Sequence, residues 1–200
     1  MEIFIVAISS VTSITVALIT VWLKHHLETQ KEIEKRKQED CLSGQDVESM
    51  LEVQEFLESL MNKWKFDRAG IFQFHNGGKF FNGVSMKKYS QSYEALSPGI
   101  AGVKKENQNV LVTQHPSLMK HVSENDFFYV DGEDTVLDYM REKVKEEGIL
   151  QIVTCSLKNL SGSTVGFIQF FTVKKKVRIT EEMRSSLLES AGRISGYLDK

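Results

Sequence analysis

Residues 149–173 have the sequence ILQIVTCSLKNLSGSTVGFIQFFTV, in which two apolar runs flank a short polar one. The runs 149–157 and 164–173 are rich in β-branched and aromatic residues, which is typical of strands. Between them, residues 159–163 (NLSGS) supply the asparagine, serine and glycine of a tight turn. The stretch therefore predicts an antiparallel β-hairpin.

A helix is predicted to follow this hairpin. Thr180 is a favoured N-cap residue, and Glu181 and Glu182 place negative charge in the first turn, where the helix dipole favours it. Apolar residues then recur at helical spacing on one face. They are Met183, Leu187, Ala191, Ile194 and Leu198.

A second amphipathic helix is predicted at residues 43–66, with capping side chains at Ser43 and Asp46. Its apolar face comprises Val47, Met50, Leu51, Leu57, Leu60, Met61 and Trp64. At residues 68–75 the pattern changes to a period of two, which predicts an aromatic-rich strand. Because strands and helices do not alternate regularly, the predicted class is α+β, an antiparallel sheet with the N- and C-terminal helices on one face.

Shorter elements are predicted between the first strand and the hairpin. The additional strands are residues 88–95, 110–113 and 127–130. A short helix is predicted at 116–123, and a longer one at 135–147 ends at Gly148.

The composition is that of a folded domain with balanced charge. The chain has 200 residues, 41% of them hydrophobic, and a formal net charge of -2. Since no basic excess creates an attractive field, nucleic acid is not a predicted partner. Cys41 and Cys155 lie far apart and outside C-x-x-C spacing, which argues against a zinc site and against a disulfide scaffold.

The N-terminal segment is predicted to cross a membrane. Residues 3–23 are uncharged, and a helix needs roughly 20 residues to span a hydrocarbon core about 30 Å thick. A cleaved signal peptide is the alternative, but such peptides begin with basic residues, whereas Glu2 is the only charge before this run. Trp22 and the lysines from Lys24 onward place the following chain in the cytoplasm.

Three regions are predicted: a transmembrane anchor at 1–23, a charged helical stalk at 24–42 and a folded domain at 43–200. From Lys24 to Asp40, Leu27 and Ile33 are the only large apolar residues. Two such residues are too few for the seam of a stable coiled coil. The chain is thus predicted to be a single-pass membrane protein whose bulk is cytoplasmic.

The end of the chain, SLKNLSGSTVGFIQFFTVKKKVRITEEMRSSLLESAGRISGYL, resembles the end of a GAF domain. The start of the folded region, DRAGIFQFHNGGKFFNG with YEAL downstream, is similar to membrane-anchored GAF proteins of bacteria and their viruses, in which F-H-N-G follows the first strand. The resemblance covers about residues 43–200. It implies a sensory or binding fold with a ligand pocket opposite the helices, and a parallel homodimer that pairs through residues 43–64 and 180–198.

The segment His75-Asn76-Gly77-Gly78 comes where the first strand is expected to end. One interpretation is a turn in which the glycines take positive φ, Asn76 bonds the backbone and His75 caps the strand. The other is a recognition loop whose polar groups lie at a pocket rim. The candidate ligand-binding residues are His75, Asn76, Gly77, Gly78, Phe80, Phe81 and Phe128.

The sequence contains no catalytic or metal-binding motif. The P-loop, the nucleophile elbow, the H-E-x-x-H motif and the dinucleotide fingerprint are absent. The acids from Asp126 to Asp138 lack the spacing of a calcium loop, so a solvated acidic loop is predicted. Among ligands of the GAF family, cyclic nucleotide lacks its signature here, and Cys155 in a strand matches neither covalent bilin attachment nor methionine sulfoxide reduction.

The resulting prediction is a membrane-anchored, cytoplasmic sensing module that acts through dimerisation or a protein partner and is not an enzyme. Its ligand and cofactor are not specified by the sequence. One alternative is a recruitment platform whose cavity is filled by Phe80, Phe81 and Phe128. A less favoured alternative is an acid-base enzyme that uses His75 or His115 with nearby acids.

Overall fold

The computed structural model describes residues 19–31, 44–79, 83, 85–132 and 140–198. Of the predicted membrane segment only residues 19–23 are among these, and of the predicted stalk only residues 24–31. The rest of both segments lies outside the described residues, as does Ser43. Within the described ranges, no helix is both long enough and apolar enough to cross a membrane.

The chain divides into two units between Val47 and Glu48. In the first unit, residues 19–31 form helix α1. The rings of Trp22 and His26 stack with centroids 5.4 Å apart, and Thr29 Oγ1 donates a hydrogen bond to the carbonyl of His25 at 2.9 Å. Both contacts join residues four apart, as expected along one side of a helix.

The remaining described elements match the predicted order. Helix α2 spans Gly44–Trp64, α3 Pro116–Glu124, α4 Met140–Glu147 and α5 Glu181–Leu198. The strands are β1 Arg68–Lys79, β2 Ser85–Leu96, β3 Val110–Leu111, β4 Phe127–Asp131, β5 Gln151–Lys158 and β6 Thr164–Thr172. A turn of 3-10 helix, Val112–Gln114, joins β3 to α3. The first residues of the helix predicted at 135–147 lie outside the described residues.

The strands form one antiparallel sheet in the order β3-β2-β1-β6-β5-β4. The hairpin predicted from residues 149–173 is present as β5 and β6, which pair from Gln151 with Thr172 to Lys158 with Thr164. In its turn, Asn159 Oδ1 accepts a hydrogen bond from the amide of Ser163 at 2.9 Å, and Gly162 has a φ of 79°. The α+β prediction and the antiparallel sheet are confirmed.

Helices α2 and α5 cover one face of the sheet, as predicted. Their apolar residues form one buried cluster with alternate residues of the strands, among them Ile71, Cys155 and Phe170. Helix α5 begins as expected, because Thr180 Oγ1 accepts a hydrogen bond from the amide of Met183 at 3.2 Å.

The predicted apolar face of α2 is only partly correct. Leu57, Leu60 and Met61 are buried, but Val47, Met50 and Leu51 are 39%, 47% and 58% exposed. Val53 was not predicted and is 1% exposed. Helical spacing identifies which residues share a face, whereas burial also requires another element to cover that face.

Strand β1 does not turn at His75, which corrects the turn interpretation. It continues through Asn76, Gly77 and Gly78 to Lys79. Strand β6 pairs with β1 only from Arg68 to Gln73. The last six residues of β1 therefore pair with β2 alone. Residues 74–79 and 85–90 thus extend beyond the end of β6, and we call this part of the hairpin the ribbon. Within it, β3 pairs only with Lys88 and Tyr89. Gly78, with a φ of 104°, lies at an irregularity of register between Asn76 and Lys79.

The face of the sheet opposite α2 and α5, called the distal face, has an aromatic centre. Phe167 is fully buried and stacks on Phe72 with ring centroids 4.8 Å apart. Tyr89 and Phe74 contact Phe167 at centroid distances of 5.4 and 5.9 Å. Helix α3 adds Leu118 and Val122 to this second cluster. The distal face therefore has its own core, separate from the helical layer.

A buried ion pair joins α4 to the sheet. The guanidinium of Arg68 pairs with the carboxylate of Glu147 and lies 4.6 Å from the ring centroid of Phe171. The Arg68 side chain is 3% exposed and that of Glu147 is 19% exposed. Val144 of α4 packs beside this pair, in a small cluster with Ile152 and Phe171.

Candidate functional site

Helix α3 is fixed against the distal face by one serine of β5. Ser156 Oγ lies 2.7 Å from the carbonyl oxygens of both Val122 and Asn125, near the C-terminal end of the helix. At the other end, Pro116 occupies the first turn, where a missing N–H costs nothing. Helix α3 is therefore held at a defined position above the strands.

A cavity of about 260 Å³ lies between α3, the ribbon and the start of β6. This volume is just below the roughly 300–1,000 Å³ of typical small-molecule sites. The described residues that line it are Phe74, Lys87, Val112, Met119, Val122, Ser123 and Thr164.

Strand alternation explains why Phe74 and Lys87 face the same cavity. Phe74 is directly opposite Tyr89 across the β1–β2 ladder, and Lys87 precedes Tyr89 by two residues. Residues two apart in a strand point to the same side. The ribbon therefore contributes an aromatic wall and a cation from adjacent strands.

The apolar part of the wall is mixed in shape. Val112 and Val122 are branched and stiff, whereas Met119 is flexible and adapts to irregular ligands. Together with Phe74 they offer a surface suited to a compact apolar body.

The polar groups of the cavity are a lysine and two hydroxyls. Ser123 Oγ donates its hydrogen to the carbonyl of Lys120 at 2.8 Å, which leaves its lone pairs to accept a bond. No described carboxylate lines the cavity or pairs with Lys87. Near Thr164, its register partner Lys158 is already paired with Asp126. Among the described lining residues, Lys87 therefore carries a positive charge that no described carboxylate neutralises.

Tyr89 packs in the distal cluster in its neutral form. Its side chain is 5% exposed, and burial raises its pKa well above the ordinary value of 10.0. Its ring lies 6.1 Å from that of His115 and edge-on to Phe72. The residue supplies packing and a neutral phenol to the distal core.

The candidate residues of the sequence analysis are dispersed over the structure. His75 and Gly77 share the ribbon face of Lys88: His75 Nε2 lies 2.9 Å from Ser90 Oγ, and a Cβ on Gly77 would meet the Lys88 stem at 2.7 Å. Asn76 is the register partner of Lys87 and shares its face, which is the cavity side. Its Oδ1 accepts a hydrogen bond from Ser85 Oγ at 3.5 Å.

The other candidates are also accounted for. Gly78 is exposed at the register irregularity. Phe128 packs with the distal cluster, where its ring lies 5.3 Å from that of His121. Phe80 and Phe81 lie outside the described residues. A ligand-binding role for the seven residues stays a prediction, and none of the five described ones appears among the described lining residues.

Sequence reasoning did not identify the lining residues, although part of the signal was present. The alternation that placed Phe72 and Phe74 on one side of β1 could have identified Phe74 as a wall residue. Lys87 and Met119 come from β2 and α3, and their approach to Phe74 depends on the packing of three separate elements.

A second, more open hollow of about 700 Å³ lies beside the loop between β2 and β3. Its main acid, Glu94, is occupied: Oε1 accepts hydrogen bonds from the amide of Val103 at 2.8 Å and from Gln91 Nε2 at 3.3 Å. Asn107 Nδ2 in turn donates to Gln91 Oε1 at 2.9 Å. These bonds hold the loop on the sheet, so Glu94, Gln91 and Asn107 are engaged in structure.

The described residues include no group of three side chains placed to hold a metal ion. Cys155 lies on the sheet face of α2 and α5, fully buried in their cluster, and burial raises the pKa of its thiol from 9.0 to about 12. It is a protonated core residue remote from the cavity, as its strand position predicted.

No family model matches the sequence, and no curated protein matches it either. Solved structures do match. A far-red cyanobacteriochrome photoreceptor is 15% identical with a TM-score of 0.57, over 87% of this chain and 97% of that one. The GAF domain region of a protein from Geobacter sulfurreducens is 16% identical with a TM-score of 0.57, over 76% and 94% of the two chains.

A third match is the phycoerythrobilin-bound GAF domain of a cyanobacterial phytochrome. It is 10% identical with a TM-score of 0.58, over 77% of this chain and 87% of that one. At these identities the likeness concerns the fold. The predicted GAF fold is therefore confirmed, whereas the F-H-N-G motif that suggested it stays a prediction.

Proposed function

We propose that this chain, a protein with the GAF fold, is a sensing module that binds a compact small molecule in the cavity beneath α3. The observation that carries the proposal is the cavity itself, with four apolar wall residues and three polar side chains at defined positions. Such a combination of apolar surface and a few oriented polar groups is characteristic of small-molecule sites.

The ligand differs from the bilin of the phytochrome domain. A covalently held chromophore needs a cysteine that reaches the pocket, and Cys155 is fully buried on the opposite face of the sheet. Cys41 lies outside the described residues. The volume of about 260 Å³ also favours a molecule much smaller than a tetrapyrrole.

The role is binding rather than catalysis. The described lining residues contribute one lysine and two hydroxyls, without a histidine, cysteine or carboxylate beside them. A general base must lie within hydrogen-bond reach of the group that it deprotonates. Ser123 has no such neighbour in the wall, which supports a site that holds its ligand unchanged.

The proposal is tested by a ligand screen and by a substitution that fills the cavity with a larger side chain. The purified chain is screened by thermal unfolding against a library of compact metabolites, because a ligand that binds only the folded state raises the unfolding temperature. Val112→Phe places a ring in the cavity and should abolish the stabilisation by any hit. Thr113→Phe, at the adjacent exposed position, is the matched control and should keep it.

Two results would count against the sensing module. A hit that stabilises both variants equally binds elsewhere. A library without hits would favour the recruitment platform instead.

We further propose that residues 3–23 anchor the chain as a single-pass membrane protein with its bulk in the cytoplasm. The support is the uncharged run and the lysines on its C-terminal side. In cell fractions, the full chain should stay with membranes after an alkaline wash, and a chain without residues 1–23 should not. External protease that digests the domain in intact cells would overturn the orientation.

We also propose that the domain forms a homodimer through α2 and α5. Met50 and Leu51 of α2 are 47% and 58% exposed and adjacent in sequence, and contiguous exposed apolar residues are typical of interaction surfaces. Replacing both with glutamine should convert a dimeric mass to a monomeric one in light scattering. A monomeric wild-type chain would exclude this dimer.

A further inference from the structure

The charge of Lys87 is the feature of the cavity that selects a class of ligand. From Arg68 to Tyr93 the sequence contains no aspartate or glutamate, so the ribbon carries Lys79, Lys87 and Lys88 without an acid of its own. Lys87 is exposed and lines the cavity, and it has no carboxylate partner among the described residues. The described part of the cavity wall therefore carries a positive charge at Lys87.

The rest of the wall adds hydrogen bonding without adding charge. Ser123 and Thr164 carry hydroxyls, and the Lys158–Asp126 pair next to Thr164 is neutral as a whole. A ligand that brings one negative charge balances the site, because it meets one ammonium group and hydroxyls that donate or accept.

We propose that the ligand is a compact monocarboxylic acid with an aromatic or branched apolar body. Its carboxylate pairs with the Lys87 ammonium, and its body lies against Phe74, Met119 and Val122. This inference rests on the proposed function, since it names the ligand class of the same cavity.

A phosphate ester fits the same residues less well. Dianionic phosphate is bound in proteins by several donors, commonly arginine forks or a helix N-terminus with backbone N–H groups. The lining residues of α3 are Met119, Val122 and Ser123, in its middle and second half, so the cavity does not open on its N-terminus. One lysine matches a single carboxylate better than a doubly charged group.

The size of the cavity sets the second limit. A volume of about 260 Å³ excludes long-chain fatty acids, which need a deeper channel than a site below the roughly 300–1,000 Å³ range provides. Benzoate is a suitable probe, and benzamide is its neutral counterpart of nearly the same shape. Phenyl phosphate tests whether the site prefers a dianionic phosphate ester to a carboxylate.

The experiment uses the full chain in mild detergent with ¹³C-methyl methionine. Met119 lines the cavity, and Met119→Leu identifies its methyl signal. Titration with benzoate should shift this signal to saturation, with benzamide binding at least about tenfold more weakly, the ratio expected for a charge-assisted hydrogen bond. Phenyl phosphate should also bind more weakly than benzoate, because one lysine balances only part of its double negative charge.

Adjacent lysines provide the matched pair of variants. Lys87→Gln should weaken benzoate by about tenfold and leave benzamide unchanged, because it removes only the charged partner. Lys88→Gln changes the same charge on the opposite ribbon face and should leave both affinities unchanged. Equal losses in the two variants would mean general attraction by the basic ribbon, which overturns the assignment to Lys87.

The remaining outcomes separate this inference from the proposed function. If benzamide binds as tightly as benzoate, the cavity binds ligands but the carboxylate class is wrong. If Lys87→Gln leaves benzoate binding unchanged, the pairing of the carboxylate with Lys87 is wrong. If phenyl phosphate binds best, the class is a phosphate. If no probe and no compact metabolite shifts the Met119 signal at millimolar concentration, both proposals fail.

Discussion

Asp67 joins the start of β1 to the end of β6: its Oδ2 accepts a hydrogen bond from the amide of Val173 at 2.7 Å. The same oxygen accepts the amide of Lys174 at 2.8 Å, and Asp67 is only 7% exposed. One carboxylate oxygen thus satisfies two consecutive backbone donors where the ladder ends.

Asp67→Ala should therefore destabilise the fold by about 2–3 kcal/mol, because two backbone amides lose a buried, charged acceptor. Urea unfolding followed by circular dichroism measures the change. Asp126→Ala is the control, since its pair with Lys158 is exposed and such pairs contribute about 0–1 kcal/mol. Equal losses for the two variants would contradict the role of Asp67.

Removal of Glu147 should be more costly than removal of a surface acid. Glu147→Ala leaves the Arg68 guanidinium, 3% exposed, without its carboxylate, and loss of one partner of a buried pair costs about 3–5 kcal/mol. The double variant Arg68→Met/Glu147→Leu should recover most of that loss because no buried charge remains. A Glu147→Ala protein with wild-type stability would show that α4 does not depend on the pair.

Replacement of Gly166 and of Gly192 with alanine should change the stability of the domain in opposite directions. A Cβ on Gly166 would overlap the backbone oxygen of Phe72 on the neighbouring strand, so Gly166→Ala should cost at least about 1–3 kcal/mol. Gly192 lies within α5 with open space around it, and Gly192→Ala should stabilise the helix by about 1 kcal/mol. Thermal unfolding of the two variants side by side measures both changes in stability. A Gly166→Ala variant with unchanged stability would mean that β1 and β6 can separate locally.

The stability of the domain should fall above pH 9 through Cys155. Its thiol has a pKa of about 12 in the folded state against an ordinary 9.0, so above pH 9 the unfolded chain holds fewer protons than the folded one. The free energy of unfolding then decreases by about 1.4 kcal/mol per pH unit between these two values. Tyr89, whose pKa is raised from 10.0, adds to the slope only at higher pH.

Urea unfolding at several values between pH 8 and 10 tests this dependence. Cys155→Ala should be less stable at neutral pH, because it removes buried volume, yet should show almost no slope just above pH 9. An unchanged slope in this variant would assign the effect to another group.

The fold could be predicted where local chemistry and burial agree. Thr180 and its acidic first turn fixed the start of α5, and the turn at Asn159 fixed the β5–β6 hairpin. At Met50 and Leu51 the helical period was correct, but no element in the described part of the chain covers these two side chains. Burial there depends on tertiary packing, which the helical period does not include.

In the ribbon, the local sequence predicted the wrong backbone conformation. Asn-Gly-Gly is typical of a turn, yet β2 pairs with this segment and holds it extended. The stem of Lys88 occupies the space that a side chain on Gly77 would need, so a glycine that suggested a turn instead permits close contact between strands. The cavity was not predictable for a related reason: Phe74, Lys87 and Met119 meet only when three elements pack.

The ribbon has a consequence for how the cavity opens. Beyond Gln73, β1 has a neighbouring strand on one side only, whereas Arg68–Gln73 is paired on both sides. The outer part of the ribbon, residues 76–79 and 85–87, is two-stranded because β3 pairs only with Lys88 and Tyr89, and two-stranded segments are marginally stable in water. The end of the ribbon that carries Lys87 can therefore separate locally while the sheet stays folded. Amide hydrogens of the ribbon should exchange with solvent deuterium well before those near Phe72, and a bound ligand should slow that exchange. The entry rate of a ligand would then be set by fraying of a hairpin rather than by movement of a helix.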